Sequence, residues 1–196
     1  ETLKAVFGAD PKSKGQIMIN GRAVPIHSPK DAIRWGIGFV PEDRKREGLV
    51  TELSVMDNVV MAKMDNSMNH GLFSIGKAKA LCRYYIDSLM IKTPSERQMA
   101  KYLSGGNQQK VVLAKCLSTN PRILILDEPT RGIDVGAKVE IYKTISGLAA
   151  KGIGIIMISS ELTELIEMCD RFLVMTKGTI TAELNRTNVS ENAIMM

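Results

Sequence analysis

The chain has 196 residues, of which 44% are hydrophobic and 24% are charged, and its formal net charge at pH 7 is +5. These proportions predict a soluble globular protein with room for one sizeable core. The sequence argues against a membrane-spanning or secreted chain. No apolar run approaches the roughly 18 residues that a spanning helix needs, and the opening residues lack the profile of a signal peptide.

The first half of the chain combines short strands with helical segments. We expect helices over residues 1–9, 29–35, 54–69 and 77–92, and strands over residues 15–21 and 36–40. The first strand ends in a turn at Asn20–Gly21, and Ser28–Pro29 starts the second helix with proline at its first position. Ser54 is expected to cap the third helix. One face of that helix carries Val55, Val59, Met61 and Met64.

From Ser104 onward, helical segments alternate with apolar strands. We expect helices over residues 105–118, 134–150 and 161–169, and strands over residues 122–129, 152–159 and 171–178. Strands with apolar side chains on both faces, separated by helices, indicate a mainly parallel sheet with helices on both sides. The predicted fold class is therefore α/β. Residues 1–50 and 118–196 would form the α/β core, and residues 51–117 a mostly helical insertion.

The cysteines and basic residues carry no sign of a metal or nucleic-acid site. Cys82, Cys116 and Cys169 are odd in number and lack metal-ligand spacing, which favours reduced thiols in a cytosol. The one basic cluster, residues 42–47, is interleaved with acids, so a solvated loop is favoured over a nucleic-acid contact. The chain also begins without methionine, in what reads as the middle of a helix, and we expect a fragment.

The strongest chemical signal is ILILDEP, residues 123–129. An apolar strand delivers Asp127 and Glu128 at its carboxyl end, where ligands bind in open α/β sheets. In nucleotide hydrolases, the first acid of such a pair helps to hold Mg²⁺ and the second can orient the attacking water. Two solvated acids at a strand end remain the alternative interpretation of this segment taken alone.

The second signal is LSGGNQQK, residues 103–110. Ser104 is a good helix N-cap, and two glycines after it would let the backbone approach a ligand closely. Free amides and the helix dipole at such a terminus favour an anion such as a phosphate. A capped helix with a flexible entry is the alternative interpretation.

Together these motifs resemble those of ABC ATPases, in the same order and over almost the whole chain. LSGG resembles the ABC signature, ILILDEP resembles Walker B, and RGID (131–134) resembles the D-loop, with Asp134 at its aspartate. GIGFVPE (36–42) stands where a strand enters the Q-loop. The resemblance implies a P-loop NTPase-like ABC core with a small helical subdomain, binding ATP and Mg²⁺. Asp127 would be the metal-side acid and Glu128 the catalytic carboxylate.

Three departures from the family pattern stand out. The Gly-rich Walker A loop is missing, and ETLKAVFGADPKSKGQIMING resembles the segment that follows it, so we expect that loop before Glu1. Glu42 stands where the family has its Q-loop glutamine. Ser160 stands where most ABC domains have the switch histidine that helps to position the γ-phosphate.

A narrower group is indicated by LSGGNQQK (103–110), DEPTRGIDVGAK (127–138), FVPEDRKREGL (39–49) and ISSEL (158–162). Together these segments resemble the second ABC domain of fused bacterial ATPases that import ribose, galactose or xylose. ABC domains pair head to tail, so the resemblance implies that the signature reaches ATP held by the first domain of the same chain. The residues implied are Ser104, Gly105, Gly106, Asn107 and Gln108. The site that contains Asp127, Glu128 and Ser160 would bind nucleotide but hydrolyse it poorly.

The resemblance also implies partners and a location. The protein would lie at the cytoplasmic face of the membrane, with permease subunits as its contact and a sugar-binding protein as an indirect partner. We expect a permease helix to dock between residues 40–48 and the helix over residues 54–69.

Two other functions remain as alternatives. A soluble ABC ATPase of DNA repair would carry long coiled-coil arms. Here only 60 residues, 43–102, separate the Q-loop position from the signature, and they hold no sustained heptads. An ABC protein acting on ribosomes or iron–sulfur assembly would need no permease, and salt-dependent RNA binding would favour it. A non-catalytic, regulatory role that only completes a partner's site also stays open.

Overall fold

The computed structural model describes residues 1–11, 14–62, 64, 68–69, 72–187 and 189. Its α-helices in these ranges are α1 (Thr2–Phe7), α2 (Pro29–Arg34), α3 (Val55–Val60), α4 (Ile75–Ser88), α5 (Gly105–Leu117), α6 (Val135–Ala150) and α7 (Leu162–Met168). The strands are β1 (Ile17–Ile19), β2 (Arg22–Val24), β3 (Ile37–Val40), β4 (Met68–Asn69), β5 (Leu72–Phe73), β6 (Ile123–Asp127), β7 (Gly154–Ile158), β8 (Arg171–Thr176) and β9 (Thr179–Asn185). A π-helical turn covers Arg44–Gly48, and a 3₁₀ turn covers Ala100–Tyr102.

The helix starts follow from local side-chain chemistry. Ser28 caps α2, which has proline in its first turn, and Ser104 caps α5 by accepting a hydrogen bond from the Asn107 amide. Ser54 and Asp57 form a reciprocal capping box at α3. The predicted caps are therefore confirmed.

The central sheet is parallel, in the order β3–β6–β7. Alternate residues of β6 point to opposite faces: Leu124 and Leu126 join the core beneath α5 and α6, and Ile125 joins a second core. That second core lies beneath α1, α2 and the β1–β2 hairpin, where Phe7 stacks on Phe39 at 5.2 Å between ring centroids. Helices cover both faces, and the predicted α/β class is confirmed.

The helical segment packs continuously onto this sheet. Val55, Val59 and Cys82 share one buried cluster with Leu113 of α5 and Leu124 of β6. Helix α5 therefore contributes to the helical segment and to the core that lies against the sheet.

Helix α3 is shorter than expected. It ends at Val60, and the backbone of β4 pairs with β5 instead of continuing the predicted helix to residue 69. The side chain of Met68 and all of His70 lie outside the described residues.

Two antiparallel hairpins, β1–β2 and β8–β9, lie outside the parallel sheet. Asn20 and Gly21 have φ of 51° and 74° and join β1 to β2, so the predicted turn is confirmed. Lys177 and Gly178 have φ of 50° and 81° and join β8 to β9. The described pairing of β8 is antiparallel, with β9, a strand that was not predicted from the sequence.

Strand β7 is also less buried than expected. Its Ile155 and Met157 pack on the main core, whereas Ile156 and Ile158 are 43% and 40% exposed. The helices on that face cover β3 and β6 but do not reach β7 in the part of the chain that is described. Among the described residues, no helix is both long and apolar enough to cross a bilayer.

Candidate nucleotide site

The carboxyl end of β6 places two acids at the edge of the sheet. Asp127 is the last residue of the strand, and Glu128 has a left-handed backbone with φ of 48°. Such a conformation costs a non-glycine residue about 1–3 kcal/mol and is typical of functional sites. The Glu128 amide donates to the Ile158 carbonyl at 2.9 Å, so the end of β7 holds this turn in place.

Ser160 lies beside Glu128, as the sequence order of the motifs suggested. Its hydroxyl donates to Oε2 of Glu128 at 3.1 Å. Serine offers one uncharged hydroxyl here, whereas histidine would offer two ring nitrogens and the option of a positive charge. The pair can therefore orient a carboxylate, but it supplies no cation for a phosphate.

A buried carboxylate, Glu164, holds the surroundings of this pair. Oε1 of Glu164 accepts from Thr130 at 2.6 Å and from the Tyr142 hydroxyl, and Oε2 accepts from Ser159 at 2.7 Å. Lys138 adds an ion pair at 3.2 Å. Burial raises the pKa of Glu164, but these donors outweigh it and lower the pKa below its ordinary value. Glu164 thus joins the segment after β6 to the end of β7.

The signature residues form a second group, around Ser104. The Ser104 hydroxyl accepts from Nδ2 of Asn107 at 2.9 Å, and Oδ1 of Asn107 accepts from the Lys92 amide at 2.8 Å. Asn107 therefore ties the signature serine to the loop after α4. Ser104 itself remains exposed.

The two signature glycines are required by packing within the chain. A methyl group at Gly106 would lie 2.5 Å from Cβ of Ala137 on α6, and one at Gly105 would lie 2.9 Å from Nη2 of Arg44. Contacts under 3.0 Å are not tolerated without movement, so each glycine allows another element to approach α5 closely.

Gln108 has a structural role in this arrangement. Its side chain is 4% exposed, and Nε2 donates to the Ala100 carbonyl at 3.1 Å. The predicted contact between Gln108 and nucleotide therefore finds no support in the side-chain position.

Asp134 caps α6 by accepting from the Ala137 amide at 2.9 Å. It lies with Ser104 and Asn107 around a polar cleft of about 210 Å³, which is also lined by Lys92 and Glu140. The N-termini of α5 and α6 thus meet at one cleft, with free amides on both.

Glu42 contacts the D-loop. It forms an ion pair with Arg131, and both side chains are exposed. A glutamine could not form this charge pair, so the departure from the family pattern at residue 42 is matched by an arginine in the D-loop.

The carboxyl end of β6 suits a metal ion that keeps several water ligands rather than one that is enclosed entirely by protein side chains. The described residues contain no group of three or more His, Cys, Asp and Glu side chains able to hold a metal ion. Mg²⁺ keeps most of its waters and takes one or two carboxylates plus phosphate oxygens of the substrate, and Asp127 could supply such a carboxylate.

The sequence did not identify several residues that shape these sites, namely Arg44, Lys92, Thr130, Lys138, Tyr142, Ser159 and Glu164. Only Glu164 carried a usable signal, because a charged residue that lies between Leu162 and Leu165 on a short helix invites a search for buried partners.

Comparison with known proteins identifies the family. A family model described as ABC transporter matches residues 1–131. A ribose/galactose/methyl galactoside import ATP-binding protein of Burkholderia cenocepacia is 48% identical over all 196 residues, which are 38% of its length. A ribose import ATP-binding protein of Lactococcus lactis is 46% identical over 195 residues, or 40% of its length, and a xylose import ATP-binding protein of Moorella thermoacetica is 46% identical over 196 residues, or 39%. The chain thus spans about two-fifths of the length of these relatives.

Solved structures agree on the fold. One ATP-binding cassette of an ABC transporter aligns with a TM-score of 0.80 and 21% identity, covering 99% of this chain and 80% of that one. A cassette bound to ADP and phosphate aligns with a TM-score of 0.78 and 19% identity, covering 94% and 79%. The order of the motifs, the parallel sheet and the family match lead to one conclusion: the chain belongs to the ABC transporter family.

Proposed function

We propose that this chain is part of the ATP-binding subunit of an ABC importer that couples ATP hydrolysis to the uptake of a monosaccharide. The observation that carries the proposal is that two helix N-caps line one polar cleft. They are the exposed signature serine, Ser104, and the D-loop aspartate, Asp134. The import of ribose, galactose and xylose named for the relatives supports the substrate class. Nothing in those names favours the permease-free alternative.

In this proposal the signature works in trans. The 196 residues contain a signature and a Walker B segment but no Walker A loop, which we place outside them. Ser104, Gly105 and Asn107 at the N-terminus of α5 would then face ATP held by another ABC domain of the same protein. Free amides and the helix dipole favour the γ-phosphate there. We keep residues 51–117 as the helical subdomain that presents this terminus.

The site at β6 would be the weaker one. Asp127 would hold Mg²⁺ through water and Glu128 would orient the attacking water. With Ser160 in place of a histidine, no side chain at this position can carry positive charge toward the γ-phosphate. We therefore expect nucleotide binding with slow hydrolysis at this site.

A mainly apolar cleft of about 420 Å³ supports a permease contact at the cytoplasmic face of the membrane. The Q-loop segment, at Pro41, Glu47 and Gly48, and the end of α3, at Met61 and Ala62, form part of its lining, and residues in or next to α1, α2, β3 and α5 form the rest. This is where a permease helix is expected to dock, and methionine suits an adaptable contact. A sugar-binding protein would act through the permease.

The charged cluster at residues 42–47 supports the absence of a nucleic-acid partner. The guanidinium of Arg44 donates hydrogen bonds to two D-loop carbonyls. Nε of Arg46 lies 3.9 Å from Oδ2 of Asp43, and Glu47 forms an ion pair with Lys4. Interleaved and partly paired charges of this kind make a poor phosphate-binding patch.

The test is ATP turnover by the complete protein with its permease, comparing Ser104→Arg with Glu128→Gln. The proposal expects Ser104→Arg to abolish turnover, because a large cation in the signature blocks the shared site. Glu128→Gln should leave much of it. Equal loss in both variants would mean that both sites hydrolyse ATP, and unchanged turnover in Ser104→Arg would reject the role of the signature.

A further inference from the structure

The side chain of Arg44 joins three segments that are distant in sequence. Arg44 begins the π-helical turn after the Q-loop position. Its Nη1 donates to the Arg131 carbonyl at 2.9 Å and its Nη2 donates to the Gly132 carbonyl at 3.0 Å. Both acceptors belong to the D-loop, so one guanidinium fixes two successive peptide groups of that loop.

The same guanidinium lies against the signature. A methyl group at Gly105 would approach Nη2 of Arg44 to 2.9 Å and the Gly132 carbonyl to 3.3 Å. The guanidinium and the Gly132 carbonyl therefore both lie close to the signature backbone at Gly105.

The base of Arg44 is anchored by independent contacts. Lys4 of α1 pairs with Glu47 at 2.8 Å, and the buried Nζ of Lys115 donates to the Gly48 carbonyl at 2.7 Å. The Asp43 side chain accepts from the Lys45 and Arg46 amides at 3.0 and 3.1 Å. These contacts hold the turn from both ends, so the guanidinium projects from a fixed support.

The fork shape of arginine suits this position. Two carbonyls on successive residues need two donors with a fixed separation, which a guanidinium has and an ammonium lacks. Nε of Arg44 is buried without a hydrogen-bond partner among the described residues. An unpaired buried donor is unfavourable, so this side chain is a poor choice for stability alone.

We propose that Arg44 is a positioning residue that sets the D-loop and the signature at the spacing required by ATP bound to the partner domain. The Glu42–Arg131 ion pair crosses the same gap and supports the arrangement. This inference rests on the proposed function, because it assumes that the signature works in trans. Arg44 would act through Gly105 and the D-loop backbone, without touching nucleotide.

The experiment measures kcat and KM for ATP of the complete protein with its permease, for Arg44→Met, Arg44→Lys and Arg171→Met. Arg171 is the control, because its side chain is exposed on β8, away from the segments that the proposal assigns to nucleotide or permease. We expect Arg44→Met to lower kcat at least about tenfold while KM changes less than about twofold, since binding is retained and alignment is lost. Arg44→Lys should recover part of kcat, and Arg171→Met should behave as wild type.

A second variant keeps the inference testable if Arg44→Met fails to fold. Gly105→Ala pushes Nη2 away without deleting it, so its effect on kcat should largely disappear when combined with Arg44→Lys. Wild-type kcat in Arg44→Met, or a fall in Tm with no loss of kcat per folded molecule, would overturn the positioning role. Equal effects of Arg44→Met and Arg171→Met would do the same. Ser104→Arg serves as the reference. If Ser104→Arg leaves ATP turnover intact, the proposed function has failed. If Ser104→Arg abolishes turnover while Arg44→Met stays fully active, only the inference about Arg44 is rejected.

Discussion

The hydroxyl of Ser160 and the carboxylate of Glu128, 32 residues apart in the chain, are joined by a hydrogen bond of 3.1 Å. The contact places Ser160, two residues after the end of β7, directly beside Glu128, the residue that follows β6 and has a left-handed backbone. It also shows what a serine does at this position. It orients the carboxylate but brings no positive charge to the phosphate side of the site.

The first prediction concerns this contact. Ser160→Ala removes the hydrogen bond, but total ATP turnover of the complete protein should change less than about twofold, because the proposal places the main hydrolytic site in another ABC domain. Steady-state turnover with the permease present is the measurement, with Ser104→Arg as the inactive comparison. A loss of more than about tenfold in Ser160→Ala would show that the site at β6 carries the main activity.

The second prediction concerns Glu164 and pH. The pKa of Glu164 in the folded state lies below the ordinary value of 4.5. The ionised carboxylate therefore stabilises the folded state in full at pH values above about 4.5. The contribution is lost as pH falls through the lowered folded-state pKa. Glu164→Gln should reduce the free energy of unfolding at pH 7 by roughly 1–3 kcal/mol, because donors that faced a carboxylate meet an amide. Urea denaturation at several pH values is the measurement.

The difference in free energy of unfolding between wild type and Glu164→Gln should become smaller as the pH is lowered below the ordinary pKa of glutamate. Glu167→Gln on the same helix is the control for the loss of an exposed carboxylate. A constant difference at all pH values would mean that the charge of Glu164 is not what stabilises this region.

The third prediction concerns the contact between α5 and α6. Gly106→Ala places a methyl group 2.5 Å from Cβ of Ala137, so it should cost roughly 1–3 kcal/mol of stability through overpacking. Ala137→Gly in the same molecule opens the space and should recover part of the loss, less about 1 kcal/mol for a glycine inside a helix. Denaturation of the four members of this double-mutant cycle measures the coupling.

Gly76→Ala on α4 is the matched control for that cycle. Its new methyl group would find only Ser74 Oγ, at 3.8 Å, so this substitution should be neutral or slightly stabilising. Additive effects of Gly106→Ala and Ala137→Gly would contradict the close contact.

The fourth prediction concerns the thiols. Burial raises the pKa of Cys116 from its ordinary 9.0 to about 11, and that of Cys82 to about 12. The thiolate fraction of Cys116 at neutral pH is therefore roughly 100-fold lower than that of a cysteine with the ordinary pKa, and alkylation should be correspondingly slow. Cys169 is half-buried and should be modified first. Mass spectrometry after timed iodoacetamide treatment checks the order, and rapid labelling of Cys116 in the native protein would contradict it.

The local features of the molecule could be predicted from the sequence. Ser54 and Ser104 cap helices and Asn20–Gly21 makes a turn, because each effect depends on residues within a few positions of one another. The strand that ends at Asp127 and Glu128 was also predictable, since an apolar run followed by acids needs no distant partner to be recognised.

Only the tertiary structure decided which distant groups meet. Arg44 reaches the D-loop across 87 residues of chain, Glu164 collects donors from three other segments, and Gln108 turns inward to the Ala100 carbonyl. Periodicity and capping describe a residue's own element, whereas such contacts depend on how elements are placed, and packing at close range settles that placement.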